Sequence, residues 1–211
     1  MTRLRSIFLL ASLVAAAPSL AATPVLRDDF SDSRSGWPNM AATRAGDLGL
    51  AIYTDSGKYQ LTPVQDEVFG FITAPRQASG GDVAVETDLF LYAGLGGGAA
   101  GVGCRYKDHR NFYAFTVRGD ATLTILKIKD GRILPLAQGK VASIMPGTVD
   151  TRLSVECRGD SLRFSAKGGG TLSANDGDFS DGPAGVFVVG QKTAGVSGVF
   201  DNFVLADPAG R

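Results

Sequence analysis

Glu86 and Asp88 stand two residues apart in DVAVETDLFL, residues 82–91. Alternation there puts Val83, Val85, Thr87 and Leu89 on one face of a β-strand and the two acids on the other. Two carboxylates on one strand face can do one well-defined piece of chemistry. Retaining hydrolysis of a glycosidic bond needs a nucleophile and an acid/base about 5 Å apart, and alternate strand positions can supply that separation. The same acids can instead accept hydrogen bonds from sugar hydroxyls with no reaction following. Arg105, in GCRY, faces outward by alternation, and Tyr113, in NFY, is the other candidate for the outward face. A guanidinium donates to hydroxyls, and a phenol ring stacks on the C–H face of a sugar. Glu86, Asp88, Arg105 and Tyr113 form the expected ligand-binding set if their strands are neighbours; otherwise they belong to an ordinary solvated sheet surface.

Other chemistries find little support. His109, the single histidine, falls in the turn at residues 107–110, and no Gly-x-Ser-x-Gly elbow accompanies it. One histidine and no CxxC argue against zinc. Gly96-Gly97-Gly98 is followed by no Lys-Ser/Thr and no helix, so it reads as a flexible connection, not a phosphate-binding loop. Trp37, the only tryptophan, is either a sugar-stacking platform or a plug at the edge of the core; its large apolar area favours the plug.

The elements that must position these residues are strands. The 211-residue chain is 44% hydrophobic and carries 28 glycines, an excess that fits many tight turns. Its 21 basic and 21 acidic residues are well mixed, which argues against a nucleic-acid partner. Residues 2–5 are basic, residues 7–17 are apolar, and small residues end the run at Ala21-Ala22. That pattern predicts a signal peptide over residues 1–22, whose apolar run at residues 7–17 is too short to span a bilayer of ~30 Å. No later segment is long and apolar enough to cross a membrane. The expected organisation is one exported domain over residues 23–206 and a short tail at 207–211, periplasmic or extracellular. Roughly a dozen short strands follow one another with hairpin-type turns, the clearest around Asp130-Gly131. The expected fold is all-β: two antiparallel sheets packed as a sandwich or jelly roll.

Export makes one disulfide the simplest reading of two cysteines, with two buried thiols as the alternative. Alternation puts Cys104 on the face of Val102 and Tyr106, and Cys157 on the face of Leu153 and Val155, so both point inward. A bond between them would close a loop of about fifty residues and stabilise the fold by roughly 4 kcal/mol.

Several short motifs carry a resemblance across nearly the whole mature chain. They are Asp29-Phe30 with Ser35-Gly36-Trp37, then Gly103-Cys104-Arg105-Tyr106 with Asn111-Phe112-Tyr113, then Val155 to Asp160 (VECRGD), and finally Phe200-Asp201-Asn202-Phe203. In their order and spacing the chain resembles bacterial exported domains of the concanavalin A-like lectin/glucanase superfamily, of the laminin-G-like kind. The resemblance implies two antiparallel sheets, one concave, with carbohydrate as the commonest ligand class. The superfamily's laminarinase-type enzymes carry a Glu-x-Asp-x-x-Glu strand motif; here Glu86-Thr87-Asp88 matches its first half and Leu91 stands where the last glutamate would be. The expectation is therefore a non-catalytic module for glycan or polysaccharide. A glycoside hydrolase with a displaced acid/base residue and a structural or protein-interaction domain are the alternatives. No cofactor is expected beyond a structural calcium ion, for which Asp28, Asp29 and Asp201, or the loop acids Asp176, Asp178 and Asp181, are suitable oxygen donors.

Overall fold

The computed structural model describes residues 23–40, 48–63, 69–93, 98–141, 147–190 and 195–208. The expected signal peptide and Gly96-Gly97 lie outside the described residues. Among the described residues fourteen strands run in chain order: β1 (Thr23–Asp28), β2 (Leu48–Tyr53), β3 (Tyr59–Pro63), β4 (Phe69–Thr73), β5 (Val83–Tyr92), β6 (Ala99–Asp108), β7 (Asn111–Arg118), β8 (Thr122–Lys129), β9 (Arg132–Lys140), β10 (Thr148–Arg158), β11 (Ser161–Ala166), β12 (Thr171–Asn175), β13 (Gly185–Val189) and β14 (Ser197–Asp207). Among the described residues no helix is long and apolar enough to cross a membrane.

The strands form two antiparallel sheets packed as a sandwich. The eight-stranded sheet runs β12-β11-β10-β5-β14-β3-β2, with β1 also paired to β14, and the six-stranded sheet runs β4-β13-β6-β7-β8-β9. Period-2 alternation explains the packing: in β5, Val83, Val85, Thr87, Leu89 and Leu91 are buried, while Glu86, Phe90 and Tyr92 are exposed. The β8–β9 turn uses Asp130 (φ 52°) and Gly131 (φ 77°), the left-handed pair a tight hairpin requires.

Cys104 on β6 and Cys157 on β10 are bonded across the core, joining one sheet to the other. Trp37 is a core residue, 4% exposed, packed edge-on to Phe30 and Phe203, and its indole N–H donates to Asp28 Oδ2 at 2.9 Å. A second apolar cluster lines the outer face of the six-stranded sheet, where Phe112 and Phe187 lie beneath Phe69, Phe71 and Tyr106. The Phe71 ring lies against the β6 backbone, so a Cβ at Gly103 would fall 2.2 Å from it.

Three expectations fail here, two of them at one bulge. The β6–β7 register shifts between Cys104 and Asp108, and Arg105 adopts φ 53°. Alternation stops there, so Arg105 turns inward and is 1% exposed, while Tyr106 moves to the outer face, away from Cys104. Tyr113, opposite Cys104, is also in the core, fully buried against Phe179. Burial, then its hydrogen bond to Asp176, pushes the Tyr113 hydroxyl up to about 12. Neither Arg105 nor Tyr113 shares the outward face of Glu86 and Asp88.

Candidate functional site

Glu86 and Asp88 do share that face, and their partner comes from the neighbouring strand. Arg152 pairs with Asp88 across β5 and β10. Its Nη1 donates to Asp88 Oδ1 and its Nη2 to Glu86 Oε2, both at 2.9 Å. One planar guanidinium therefore bridges two carboxylates, a geometry its fixed fork favours.

Asn202 completes the arrangement from the other side. The β14 register shifts between Asp201 and Val204, and Asn202 adopts φ 50°, a conformation asparagine tolerates better than most residues. Its Nδ2 donates to Asp88 Oδ2 at 2.8 Å. Both Asp88 oxygens are thus engaged. Burial pushes the Asp88 carboxyl up, but the bonds from Asn202 and Arg152 outweigh it and hold the group below its ordinary value. Beside it, Lys58 donates to Asp201 Oδ2 at 2.5 Å.

Three depressions adjoin on this face, and Arg152 lines all of them. A groove of about 980 Å³ runs along β1 and the bulge of β14, lined by Arg27, Asp29, Arg76, Arg152 and Asn202 among others. A second, of about 410 Å³, is lined by Asp88, Asp150, Arg152 and Lys167 with their neighbours. A third, of about 200 Å³, lies between Arg27, Glu86 and Arg152. Charged hydrogen-bonding groups held by one another, with open space on each side, suit recognition of a polar ligand by fixed donors and acceptors.

Arg152 and Asn202 were not singled out by sequence reasoning. The signal for Arg152 was its outward place in the clean alternation of β10. The only sign of Asn202 in the sequence is the polar pair Asp201-Asn202 between Phe200 and Phe203, which breaks the apolar alternation without showing where the side chain goes.

The acids named as oxygen donors for calcium have protein partners. Asp28 accepts from Phe30 N and Trp37 Nε1, Asp29 from Ser31, and Asp201 from Lys58 and Asn202 N. In the 176–181 loop, Asp176 pairs with Lys127, Asp178 with Lys127 and Lys129, and Asp181 with Lys107. Among the described residues no three or more His, Cys, Asp or Glu side chains come together in one group.

These ion pairs give stability a definite pH dependence. The Asp178 carboxyl is drawn down to about 2 by its bonds from Lys127 and then Lys129. Asp88 and Asp176 also lie below the ordinary 3.8, despite the burial that opposes the shift. A lowered folded-state value contributes stability that is fully present above the unfolded value and lost as pH falls through the folded one. The thermal unfolding midpoint is therefore expected to hold from neutral pH to about pH 4 and to fall between there and about pH 2. A midpoint that rose on acidification through that window would contradict it.

No protein-family model matches the chain, and no curated protein matches it in sequence. Solved structures do. A carbohydrate-binding module, CBM66 from Bacillus subtilis, is 25% identical, with a TM-score of 0.60 over 82% of this chain and 96% of that one. The chain is similar in fold to a carbohydrate-binding module. A Bacillus subtilis protein of unknown function with a galectin-like fold is 15% identical, with a TM-score of 0.59 over 87% of this chain and 96% of that one. The GH43 BlXynB protein from Bacillus licheniformis is 14% identical, with a TM-score of 0.62 over 86% of this chain; the match spans 39% of BlXynB. The last two similarities speak to the sandwich fold alone.

Proposed function

We propose that this protein is an exported, non-catalytic β-sandwich that binds glycan through the outer face of its eight-stranded sheet. The observation that carries the reading is Arg152, fixed by Glu86 and Asp88 and forming a wall of all three adjoining depressions. Sugars are recognised by arrays of hydroxyl groups, each a donor and an acceptor, and this face offers guanidinium donors beside carboxylate and amide acceptors without a deep apolar pocket. The likeness to CBM66 supports the same ligand class. The concanavalin A-like, laminin-G-like kinship of the motifs belongs to this proposal. So do the signal peptide at residues 1–22, a single domain over residues 23–206, and a periplasmic or extracellular location.

Binding is favoured over hydrolysis by how the two acids are held. A retaining enzyme needs one carboxyl free to give its proton to the leaving group and the other free to attack. Here Arg152 bridges the two carboxyl groups, and the second Asp88 oxygen accepts from Asn202.

The test is a glycan array followed by titration calorimetry on its strongest hits. Wild-type protein is expected to bind, and Arg152→Ala to weaken binding about ten- to a hundredfold, the effect of losing hydrogen bonds from a charged group. Absence of binding to every carbohydrate on the array would leave the protein-interaction reading in its place. Product release from a β-glucan, abolished by Glu86→Gln, would establish hydrolysis instead.

A further inference from the structure

The outward stripe of β5 continues past the two acids. Phe90 and Tyr92 follow Glu86 and Asp88 on the same face, 45% and 53% exposed, and no other Phe, Tyr or Trp among the described residues is as open. Outward positions on a strand recur about every 7 Å, so the two rings adjoin each other and the Asp88 network. Their place is unusual, because β5 is an interior strand flanked by β10 and β14.

The surroundings of the rings are polar. By register, Phe90 lies between Asp150 of β10 and Val199 of β14, and Tyr92 between Thr148 and Ser197. One strand further on, Gln60 pairs with Val199, and Thr62 Oγ1 donates to Ser197 Oγ at 3.5 Å. A pyranose presents the complementary pattern, an apolar C–H face with hydroxyls around its rim. Asp150 also lines the 410 Å³ depression with Asp88 and Arg152, so the aromatic pair and the polar site share a wall.

We infer that Phe90 and Tyr92 form a second, stacking subsite, and that this face takes consecutive units within an uncharged glycan chain instead of a single terminal sugar. The inference rests on the glycan-binding reading above. One unit is held by hydrogen bonds at Arg152, Asp88 and Asn202, and the next units run along β5 with their C–H faces on Phe90 and then Tyr92. Acidic sugars are disfavoured because Arg152 is already neutralised by two carboxylates and Asp150 stands beside Phe90.

Calorimetry with mono-, di-, tetra- and hexasaccharides of the xylan, β-glucan and chitin series tests this, beside the glycan array. Affinity is expected to rise at least about tenfold from monosaccharide to tetrasaccharide in a series that binds. F90A/Y92A is expected to remove that rise, to keep weak monosaccharide binding, and to unfold at the wild-type temperature because neither ring is in the core. Phe90→Tyr, which keeps a ring, is expected to retain the rise. Equal affinity of wild-type protein for the shortest and longest oligomers, or a length dependence that survives F90A/Y92A, overturns the stacking subsite and leaves glycan binding standing. Absence of binding to any of the oligomers or any glycan on the array overturns both.

Discussion

Replacing both cysteines with alanine, C104A/C157A, is expected to cost the fold about 4 kcal/mol and to lower its unfolding midpoint by roughly 10 °C. The two residues are 53 positions apart and fully buried, and they join β6 of one sheet to β10 of the other. Without the bond the unfolded chain regains the freedom of a long loop, while the native state loses only a short link between sheets that hydrophobic packing already holds together. The loss should therefore fall mostly on the unfolded side, with the native fold retained at moderate temperature. Calorimetry of the double variant, against wild-type protein with and without reductant, measures it. A loss below about 1 kcal/mol would show that the unfolded chain gains little freedom from the missing bond.

The second large effect is expected at Arg105, where substitution by alanine should cost about 3 kcal/mol. This side chain is 1% exposed and donates from Nε to Gly81 O, from Nη1 to Phe179 O and from Nη2 to Asp82 Oδ1. Asp82 Oδ1 also accepts from Gly159 N at 3.0 Å, so one carboxylate oxygen ties the turn after β10 to the bulge of β6. Alanine would leave two carbonyls without these donors and open a cavity where the aliphatic stem packs. Arg105→Lys should recover little, because a single ammonium cannot reach three acceptors in the plane of a fork. Denaturant unfolding distinguishes the cases, and a lysine variant as stable as wild type would show that charge alone suffices.

The sheets were legible because their alternation is regular. The inward run of Val83, Val85, Thr87 and Leu89 and the inward Cys157 follow from period 2 alone, and the disulfide is the simplest expectation for two inward cysteines in a chain with a signal-peptide pattern. The site was less legible because it is built at breaks in that rule. A positive-φ bulge at Arg105 converts an expected surface donor into a buried clamp, and another at Asn202 turns a polar residue of an interior strand toward Asp88. Bulges depend on which strand lies opposite and where the register slips, and that is information from distant parts of the chain. Tyr113 failed for a different reason: a tyrosine with a buried hydroxyl partner, here Asp176, is as compatible with a core as with a surface. Phe90 and Tyr92 needed only two more steps of the alternation that placed Glu86 and Asp88.

The last strand among the described residues, β14, lies inside the eight-stranded sheet, between β5 on one side and β1 and β3 on the other. That sheet therefore cannot close until residues 197–207 have been made. Until residues 197–207 arrive, β5 and β3 present open edges to solvent. Folding must wait for pairings such as Thr23 with Asp207, among the most distant in sequence that the fold contains. Such non-local closure is slow. A nascent chain awaiting β14 would expose the pairing groups of its sheet centre, which makes that interval one of vulnerability to misassembly.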